Sequence, residues 1–586
     1  MGAGPKPLRT AVLVVHGMGI QRPMGTVRGV FDAIWLTDDQ LPEDEKKYWT
    51  HPEPSGDDID LRALTTFKTQ KYRRVFDFHE FYWSYLMSGT PFVAVLLWLF
   101  ELVRKGPNLK DNMRALWWGG AIYLGFVTLS VSHLLLLIAR QISSIGNQTF
   151  SVFVEVLWLT VIISGLGCLF ALVGRSFRLA GWLASFALPL GAIGYGVSLT
   201  QWNLESLTVL SLPPVLAMAG ALLLMGRWGL VAVVLAYALS FGLYWIITVG
   251  ISHGTFAENI HKDYLPFSLN EHWSSVGAFL IIGTYVVLDA LFLRPFLGDA
   301  ARYFPNSPGN VAVRRKIRSE AISILEKLHG CGDYDRIIVV AHSLGTVIAY
   351  DMLRAYFAKI CDQLQAPAEG ADPDFDRLDK CGALSDVEIR NAGRGIIRKF
   401  APTAQAAASD AKGGRRSWLV TDFVTLGSPL THVHYLMCRG DSEQKLRQDF
   451  EDRVKQREFP VCPPKLLDGN GRLTFVNPNN GTRYFHHGAV FALTRWTNLY
   501  FPVSELLWGD AIGGGVQRDL AGGDLFGDGV RDIAVSTRRD GAASFFTHTA
   551  YWDPKRDAEG VEPHIVELRR AINLADEDEL ASERAA

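Results

Sequence analysis

The distribution of apolar residues divides the chain into three parts. Between about residues 115 and 294 the apolar positions form long runs with almost no charge, whereas both flanks carry short apolar runs separated by polar stretches. A helix needs about 20 apolar residues to cross the ~30 Å hydrocarbon core of a bilayer. Soluble core helices rarely follow one another at this length, so we predict six membrane-spanning helices: 116–139, 150–173, 179–199, 207–225, 229–250 and 275–293.

The flanks show the pattern of an α/β protein. Short runs rich in β-branched residues are typical of buried parallel strands, and segments with apolar residues at helical spacing lie between them. Residues 36–66 are polar and are predicted to form loops. We predict strands within Thr10–Val15, Arg73–Tyr85, Ile337–Ala341, Trp418–Leu426, Phe491–Tyr500 and Gly541–Tyr551, and helices over Asn310–Leu328, Thr346–Phe357 and Val561–Leu574.

These patterns predict a mostly parallel sheet flanked by helices, interrupted by an all-α membrane domain. Residues 1–90 and 301–586 would form the two parts of the α/β domain, and residues 91–300 the insertion. Within the insertion Pro91–Val103 is too short to span a bilayer, so we expect an interfacial or re-entrant helix. Residues 365–416 are rich in Ala, Asp, Gly and Arg and are predicted to be a flexible insertion or a lid.

Charge between the long apolar runs predicts their orientation. The loops 140–149, 200–206 and 251–274 carry only Arg140 and Lys262, whereas the other loops and both flanks contain most of the nearby Lys and Arg residues. Cytoplasmic loops of membrane proteins carry an excess of these residues. We therefore expect an integral membrane protein with both termini and the α/β domain in the cytoplasm, which an even number of spans allows.

Overall composition excludes several classes of function. A net charge of −2 gives no reason to expect nucleic acid as a partner. The six cysteines form no C-x-x-C pair and no zinc-like spacing, so we expect isolated thiols in a reducing compartment. The first residues lead into a strand without the apolar segment of a signal peptide. No P-loop or H-E-x-x-H motif occurs, so neither a cofactor nor a metal is predicted, and the oligomeric state is left open.

The segment Arg336–Tyr350 carries the clearest chemical signal, with the sequence R-I-I-V-V-A-H-S-L-G-T-V-I-A-Y. A Ser between a buried strand and a helix is typical of the nucleophile elbow, G-x-S-x-G. Small residues are needed two positions before and after the Ser because the strained turn brings the two backbones together. Ala341 and Gly345 meet this need around Ser343, and the adjacent His342 is expected to point elsewhere. A buried Ser on an ordinary turn is the alternative interpretation.

A second motif follows the first predicted strand. A strand that ends in H-G and a Gly-rich turn resembles the oxyanion-hole loop of lipases; the residues are His16, Gly17, Met18 and Gly19. This resemblance implies that the main-chain N–H groups of Met18 and Leu344 stabilise a developing alkoxide. One such donor can lower a reaction barrier by about 3 kcal/mol.

Together the two motifs resemble an α/β-hydrolase of the lipase or esterase type over residues 8–85 and 305–552. The family order is Ser, acid and His, each after a strand. This order implies His548 as the general base and Asp510 as the acid, with Glu505 second and the later acids Asp524, Asp528 and Asp532 also possible. Asp524–Asp532 is otherwise interpreted as a turn with solvated acids. Other candidate bases are His16, His342, His432, His434, His486 and His487.

The sequence thus predicts a membrane-integrated serine hydrolase that cleaves a lipid or other apolar carboxylic ester through a Ser–His–Asp triad and an acyl-enzyme. The expected partners are the lipid bilayer and the acyl-ester substrate, because a site tethered at a bilayer meets acyl chains at high local concentration. An acyltransferase that uses the same triad is one alternative. A catalytically inactive, hydrolase-like scaffold or transport subunit is the other.

Overall fold

The computed structural model describes residues on both sides of the long apolar stretch, with several gaps. All six predicted spans lie outside these residues, as does Pro91–Val103 apart from Trp98 and Glu101. Within the described parts, no helix has the length and apolar character needed to cross a bilayer. The described residues are 8–19, 22–52, 61–87, 98, 101, 294–304, 308–362, 364, 373–378, 385–400, 418–440, 442–464, 473–476, 479, 481, 483–503, 509, 510, 512–518, 524–538, 547–554 and 560–576.

The chain divides into two compact units. The first comprises Met1–Thr90, Lys110–Met113 and Arg302–Ala586, and the second comprises Pro91–Leu109 and Arg114–Ala301. The predicted boundaries of the membrane domain, residues 91–300, stay a prediction. All elements of the sheet described below belong to the first unit.

An eight-stranded sheet forms the framework of the first unit. Its strand order is β10-β9-β6-β5-β1-β4-β3-β2, and the strands from β10 to β4 are parallel. Two antiparallel strands, β3 and β2, extend it at one edge. In chain order the strands are β1 (Arg9–Val15), β2 (Tyr48–Pro52), β3 (Arg62–Thr66), β4 (Val75–Phe81), β5 (Arg336–His342), β6 (Val420–Leu426), β7 (Thr474–Val476), β8 (Arg483–Phe485), β9 (Arg495–Tyr500) and β10 (Val530–Ala534), where β7 and β8 form a separate hairpin.

Helices cover both faces of the sheet, which confirms the predicted α/β class. The α-helices of the described residues, whether or not they contact the sheet, are α1 (Gly25–Phe31), α2 (Arg294–Tyr303), α3 (Pro308–Gly330), α4 (Leu344–Asp362), α5 (Pro373–Leu378), α6 (Asp386–Phe400), α7 (Val433–Met437), α8 (Glu443–Lys455), α9 (Val490–Leu493) and α10 (Pro563–Ile572). A π-helical turn, Asp32–Leu36, continues α1.

The two faces of the sheet bury different side chains. On one face Val14 and Val340 pack with α1 and α10 in a continuous apolar core. On the other face the ring of Tyr350, from α4, lies 5.7 Å from the ring of Trp496, which in turn lies 5.3 Å from Phe423. Strands buried on both faces need apolar residues at successive positions, and this explains the apolar runs Ala11–Val15 of β1 and Ile337–Ala341 of β5. β6 is equally buried, but Thr421, Asp422 and Thr425 interrupt its apolar residues.

The prediction of the central strands is confirmed, but two other predictions about elements were wrong. Residues 36–66 contain β2 and β3, which pair at the sheet edge; β2 is mostly exposed, and β3 is buried but contains Arg62, Thr65 and Thr66, so neither forms an apolar run. Phe491–Tyr500 is not one strand, because α9 ends at Leu493 before β9 begins. Of the strand predicted within Gly541–Tyr551, residues 541–546 lie outside the described residues, and residues 547–549 form a short turn. β10, Val530–Ala534, was not predicted. Its half-exposed side chains concealed it in the sequence.

The predicted flexible insertion, residues 365–416, contains α5 and α6. α6 packs beside α9: a Cβ on Gly393 would lie 2.8 Å from the side chain of Leu493, and Arg394 Nε donates to the Leu493 carbonyl oxygen at 3.0 Å. The interpretation of the stretch as a lid stays a prediction.

Candidate active site

Ser343 lies between the end of β5 and the start of α4, as the elbow motif predicts. Its φ of 52° places it in the left-handed region, which is rare for a residue with a side chain and costs free energy. Hydrogen bonds on both sides hold this conformation. Ser343 N–H donates to Leu426 O at 3.0 Å, and Ser343 O accepts from Thr346 N–H at 2.9 Å and from the Thr346 hydroxyl at 2.7 Å. The turn is therefore sharp and firmly supported.

Two glycines let the chain segments around Ser343 approach one another. A Cβ on Gly345 would lie 2.7 Å from Val15 O and would also clash with the next carbonyl oxygen of the chain. A Cβ on Gly17 would lie 2.9 Å from the Cβ of Ser343. Glycine is needed at both positions because the end of β1 runs directly against the elbow. The predicted H-G turn thus lies beside Ser343.

The structure brings the three predicted triad residues together. His548 Nε2 lies 2.8 Å from Ser343 Oγ, and His548 Nδ1 lies 2.8 Å from Asp510 Oδ1. Ser343 follows β5, Asp510 follows β9, and His548 lies in the short turn Thr547–Thr549 after β10. Because these strands are parallel, all three residues lie at the carboxyl edge of the sheet. A carboxylate only accepts hydrogen bonds, so Nδ1 carries the proton and Nε2 is left to accept from the Ser343 hydroxyl.

Asp510 is ionised although it is completely buried. Burial alone would raise the pKa of its carboxyl, but the nearby His548 and several hydrogen-bond donors hold that pKa well below its usual range. Oδ1 accepts from the N–H groups of Ile512 and Gly513, both at 2.9 Å, and Oδ2 accepts from the Tyr551 hydroxyl at 2.7 Å. The charge therefore remains available to stabilise an imidazolium at His548.

Sequence reasoning missed two glycines that the acid requires. A Cβ on Gly427, whose φ is +57°, would lie 2.6 Å from Asp510 Oδ2 and 3.1 Å from His548 Nδ1. A Cβ on Gly513 would also lie 2.6 Å from Asp510 Oδ2. The signals were present as the G-S-P and G-G-G turns, but nothing in the sequence says which glycine faces the acid.

His16 supports the H-G turn and is not placed as a base. Its Nδ1–H donates to Gly17 O at 2.7 Å, and its Nε2 accepts from Trp83 N–H at 3.0 Å while the two rings stack. Burial lowers the pKa of His16 to about 4, so the ring is neutral. Met18 follows this fixed turn. Leu344 is the first residue of α4, where an N–H has no partner within the helix. Their oxyanion role stays a prediction.

The other candidate histidines have identifiable local contacts. His342 turns away from the Ser343 hydroxyl, and its Nε2–H donates to the carbonyl oxygen of His548 at 2.7 Å. His432 hydrogen-bonds to the backbone of Ile512, next to the acid. Burial lowers the pKa of both rings to about 3. His434 packs edge-on against Phe450, and His486 Nδ1 accepts from Gly488 N–H.

The alternative acids have other contacts, and Glu505 lies outside the described residues. The interpretation of Asp524–Asp532 as a turn with solvated acids was wrong at its end, because Asp532 belongs to β10. Its carboxylate accepts from Val516 N–H, Gln517 N–H and the Asn498 amide, and so anchors the loop that follows Asp510. Asp528 instead pairs with Arg518.

Fold and site together define an α/β protein with a buried, hydrogen-bonded Ser–His–Asp arrangement at the carboxyl edge of a parallel sheet. Comparison with protein-family models, curated proteins and solved structures finds no match for this chain. The function is therefore argued from the geometry of the site.

Proposed function

We propose that this chain is a serine ester hydrolase of the α/β-hydrolase type. The observation that supports the proposal most is the pair of 2.8 Å contacts that join His548 to Ser343 on one side and to Asp510 on the other. A nucleophile, a base within hydrogen-bond reach and a third group that orients the base are the requirements for an activated serine. The left-handed turn at Ser343 is the second support.

The geometry supports a two-stage reaction. As Ser343 Oγ attacks the ester carbonyl carbon, His548 Nε2 takes the hydroxyl proton, and Asp510 stabilises the imidazolium that forms. The N–H groups of Met18 and Leu344 would receive the oxyanion. Collapse of this intermediate breaks the ester C–O bond, and His548 returns its proton to the leaving alkoxide. Water then attacks the acyl-enzyme, with His548 as base, and Ser343 regains its proton as the acid leaves.

The substrate class and location extend this proposal from the sequence. Six long apolar runs separate the H-G turn from the elbow, and an even number of membrane crossings keeps both on the cytoplasmic side of a bilayer. An active site tethered there would meet lipids and other apolar esters. We therefore propose membrane-associated acyl esters as the substrates.

Turnover of chromogenic esters by the detergent-solubilised full-length protein tests the proposal. We expect hydrolysis of p-nitrophenyl butyrate and p-nitrophenyl palmitate by the wild type, with a loss of at least about 10⁴-fold in Ser343→Ala and in His548→Ala. A higher kcat/KM for the palmitate would support apolar substrates. Product analysis with added alcohols or lysolipids would separate hydrolysis from acyl transfer. A folded wild type that turns over neither ester would contradict the proposal and favour a scaffold.

A further inference from the structure

Tyr551 is a buried phenol three residues after the proposed base. Its side chain is almost wholly enclosed, at 1% exposure. Its hydroxyl donates to Asp510 Oδ2 at 2.7 Å and accepts from the main-chain N–H of Phe501 at 3.1 Å. Both hydrogen-bonding functions of the hydroxyl are therefore used, and one of them acts on the proposed acid.

The hydroxyl fixes an orientation that the Asp side chain does not fix by itself. The terminal torsion of Asp is broad, so a carboxylate rotates easily unless both oxygens are held. In Asp510 the main-chain donors hold Oδ1 beside His548 Nδ1, while Tyr551 holds Oδ2 on the opposite side. Rotation of the carboxylate would weaken both sets of bonds.

Tyr551 also joins the chain segments that carry the triad. It lies just after the turn Thr547–Thr549, which contains the base, and its ring lies 4.9 Å from that of Phe501 at the end of β9. Asp510 N–H donates back to Phe501 O at 3.4 Å. One side chain, three residues after the base, thus contacts both the acid and the residue that follows β9.

We propose that Tyr551 is a positioning residue of the triad, whose hydroxyl orients Asp510 to receive the Nδ1–H of His548. This inference rests on the proposed function. Two other imidazoles face the Asp510–His548 pair, His342 from the elbow and His432 from the loop after β6. Burial keeps both neutral above about pH 4, so they do not titrate in the range of the test.

The chain offers a matched control for a test. Tyr350, in α4, is equally buried, and its hydroxyl donates to Pro460 O at 2.9 Å, away from the acid. Tyr551→Phe and Tyr350→Phe each remove one buried hydroxyl, but the first removes two hydrogen bonds and the second the bond to Pro460 O, so urea unfolding of both variants accompanies the labelling. The readout is the rate of labelling by a fluorophosphonate probe across pH, on the detergent-solubilised full chain.

We expect Tyr551→Phe to label about tenfold more slowly, which corresponds to about 1.4 kcal/mol of barrier. The acidic limb of its pH–rate profile should move to lower pH, because a carboxylate that is free to turn away from His548 Nδ1 stabilises the imidazolium less. Tyr350→Phe should keep the wild-type rate and profile. Site-specific 3-fluorotyrosine at position 551, a stronger donor that keeps the packing, should move the limb to lower pH even if Tyr551→Phe folds poorly.

Two results would overturn the inference, and they are distinguishable. If the wild type labels while the position 551 variants match the Tyr350→Phe control in rate and profile, Tyr551 has no positioning role and the proposed function stands. If the folded wild type never labels, the proposed function and this inference fail together.

Discussion

The two edges of the parallel sheet each bury an aspartate, and the partners of these aspartates differ. At the carboxyl edge Asp510 meets the imidazole of His548 at 2.8 Å. At the amino edge Asp422, near the start of β6, forms ion pairs with Arg336, the first residue of β5, and with Arg495, the first residue of β9, at 2.8 Å for the latter. Burial opposes both charges, yet both carboxyls have lowered pKa values, to about 2 for Asp422.

The difference lies in what the partner can do with a proton. A guanidinium is always charged, so the pairs at Asp422 are permanent and tie three strands together. An imidazole gains and loses a proton near neutral pH, so the pair at Asp510 can change charge during a reaction. A buried aspartate therefore stabilises the fold at the amino edge, whereas a second buried aspartate takes part in the proposed reaction at the carboxyl edge.

The largest expected effect comes from Asp510→Asn. The amide would turn an N–H or a weaker acceptor toward His548 Nδ1, which favours the wrong tautomer and leaves an imidazolium unsupported. We expect the rate of fluorophosphonate labelling to fall by about 10⁴-fold, with a smaller unfolding free energy by about 1–3 kcal/mol because the amide N–H faces hydrogen-bond donors. Labelling kinetics and urea unfolding of the same preparations measure both. A variant that labels at the wild-type rate would remove Asp510 from the proposed triad.

The matched change at the other edge is Asp422→Asn, for which we expect the reverse outcome. It removes the carboxylate that pairs with the partly buried Arg495 and one of the two that pair with the buried Arg336, which keeps Asp576 at 3.6 Å; breaking such buried pairs costs about 3–5 kcal/mol of unfolding free energy. Labelling by the fraction that remains folded should stay within about twofold of the wild type, because Asp422 lies at the opposite edge. A large loss of labelling in the folded fraction would show that the two edges are not independent.

A third buried carboxylate, Glu80 at the end of β4, sharpens the comparison because main-chain N–H groups hold it. Oε2 accepts from Met24 N–H, and Thr26 and Val27 N–H also contribute, which caps the start of α1. Burial nevertheless raises the pKa of Glu80 to about 7. Ionisation of Glu80 therefore opposes folding, in contrast to ionisation of Asp422.

The sign of the pH dependence follows from this shift. The folded pKa of Glu80, about 7, lies above its ordinary value of 4.5, so its contribution to stability is present below pH 4.5 and is lost as pH rises to 7. The loss amounts to about 3 kcal/mol. Urea unfolding at pH 5 and pH 8 should show this difference in the wild type and a smaller one in Glu80→Gln. An equal change in unfolding free energy between pH 5 and pH 8 in the two proteins would show that Glu80 does not cause the pH dependence.

The sequence predicted what short local patterns determine. The apolar runs located β1, β5 and β6, and the order of motifs along the chain pointed to Ser343, Asp510 and His548, which the structure brings into contact. β2 and β10 were missed because their side chains are mostly exposed and half-exposed, respectively, and β3 was missed because polar residues make up much of this buried strand.

The supporting residues of the site could not be read from the sequence for a different reason. Three supporting residues lie on segments that pack against Asp510 only in the folded chain: Tyr551, Gly427 and Gly513. Their spacing along the sequence does not indicate this contact. The sequence around Asp532 likewise indicates a solvated acid, whereas its carboxylate accepts hydrogen bonds from the main-chain N–H groups of Val516 and Gln517 at the end of the Gly-rich loop.

Mapping the fluorophosphonate adduct by mass spectrometry tests most directly whether Ser343 is an activated nucleophile. The full-length protein is labelled in detergent, digested and sequenced beside Ser343→Ala and a control, Ser428→Ala, which removes a neighbouring buried hydroxyl that contacts Thr346 rather than His548. We expect one adduct per chain, on Ser343, in the wild type and in Ser428→Ala, and none in Ser343→Ala. A folded wild type without an adduct, or an adduct that persists elsewhere in Ser343→Ala, would contradict the proposed role of Ser343.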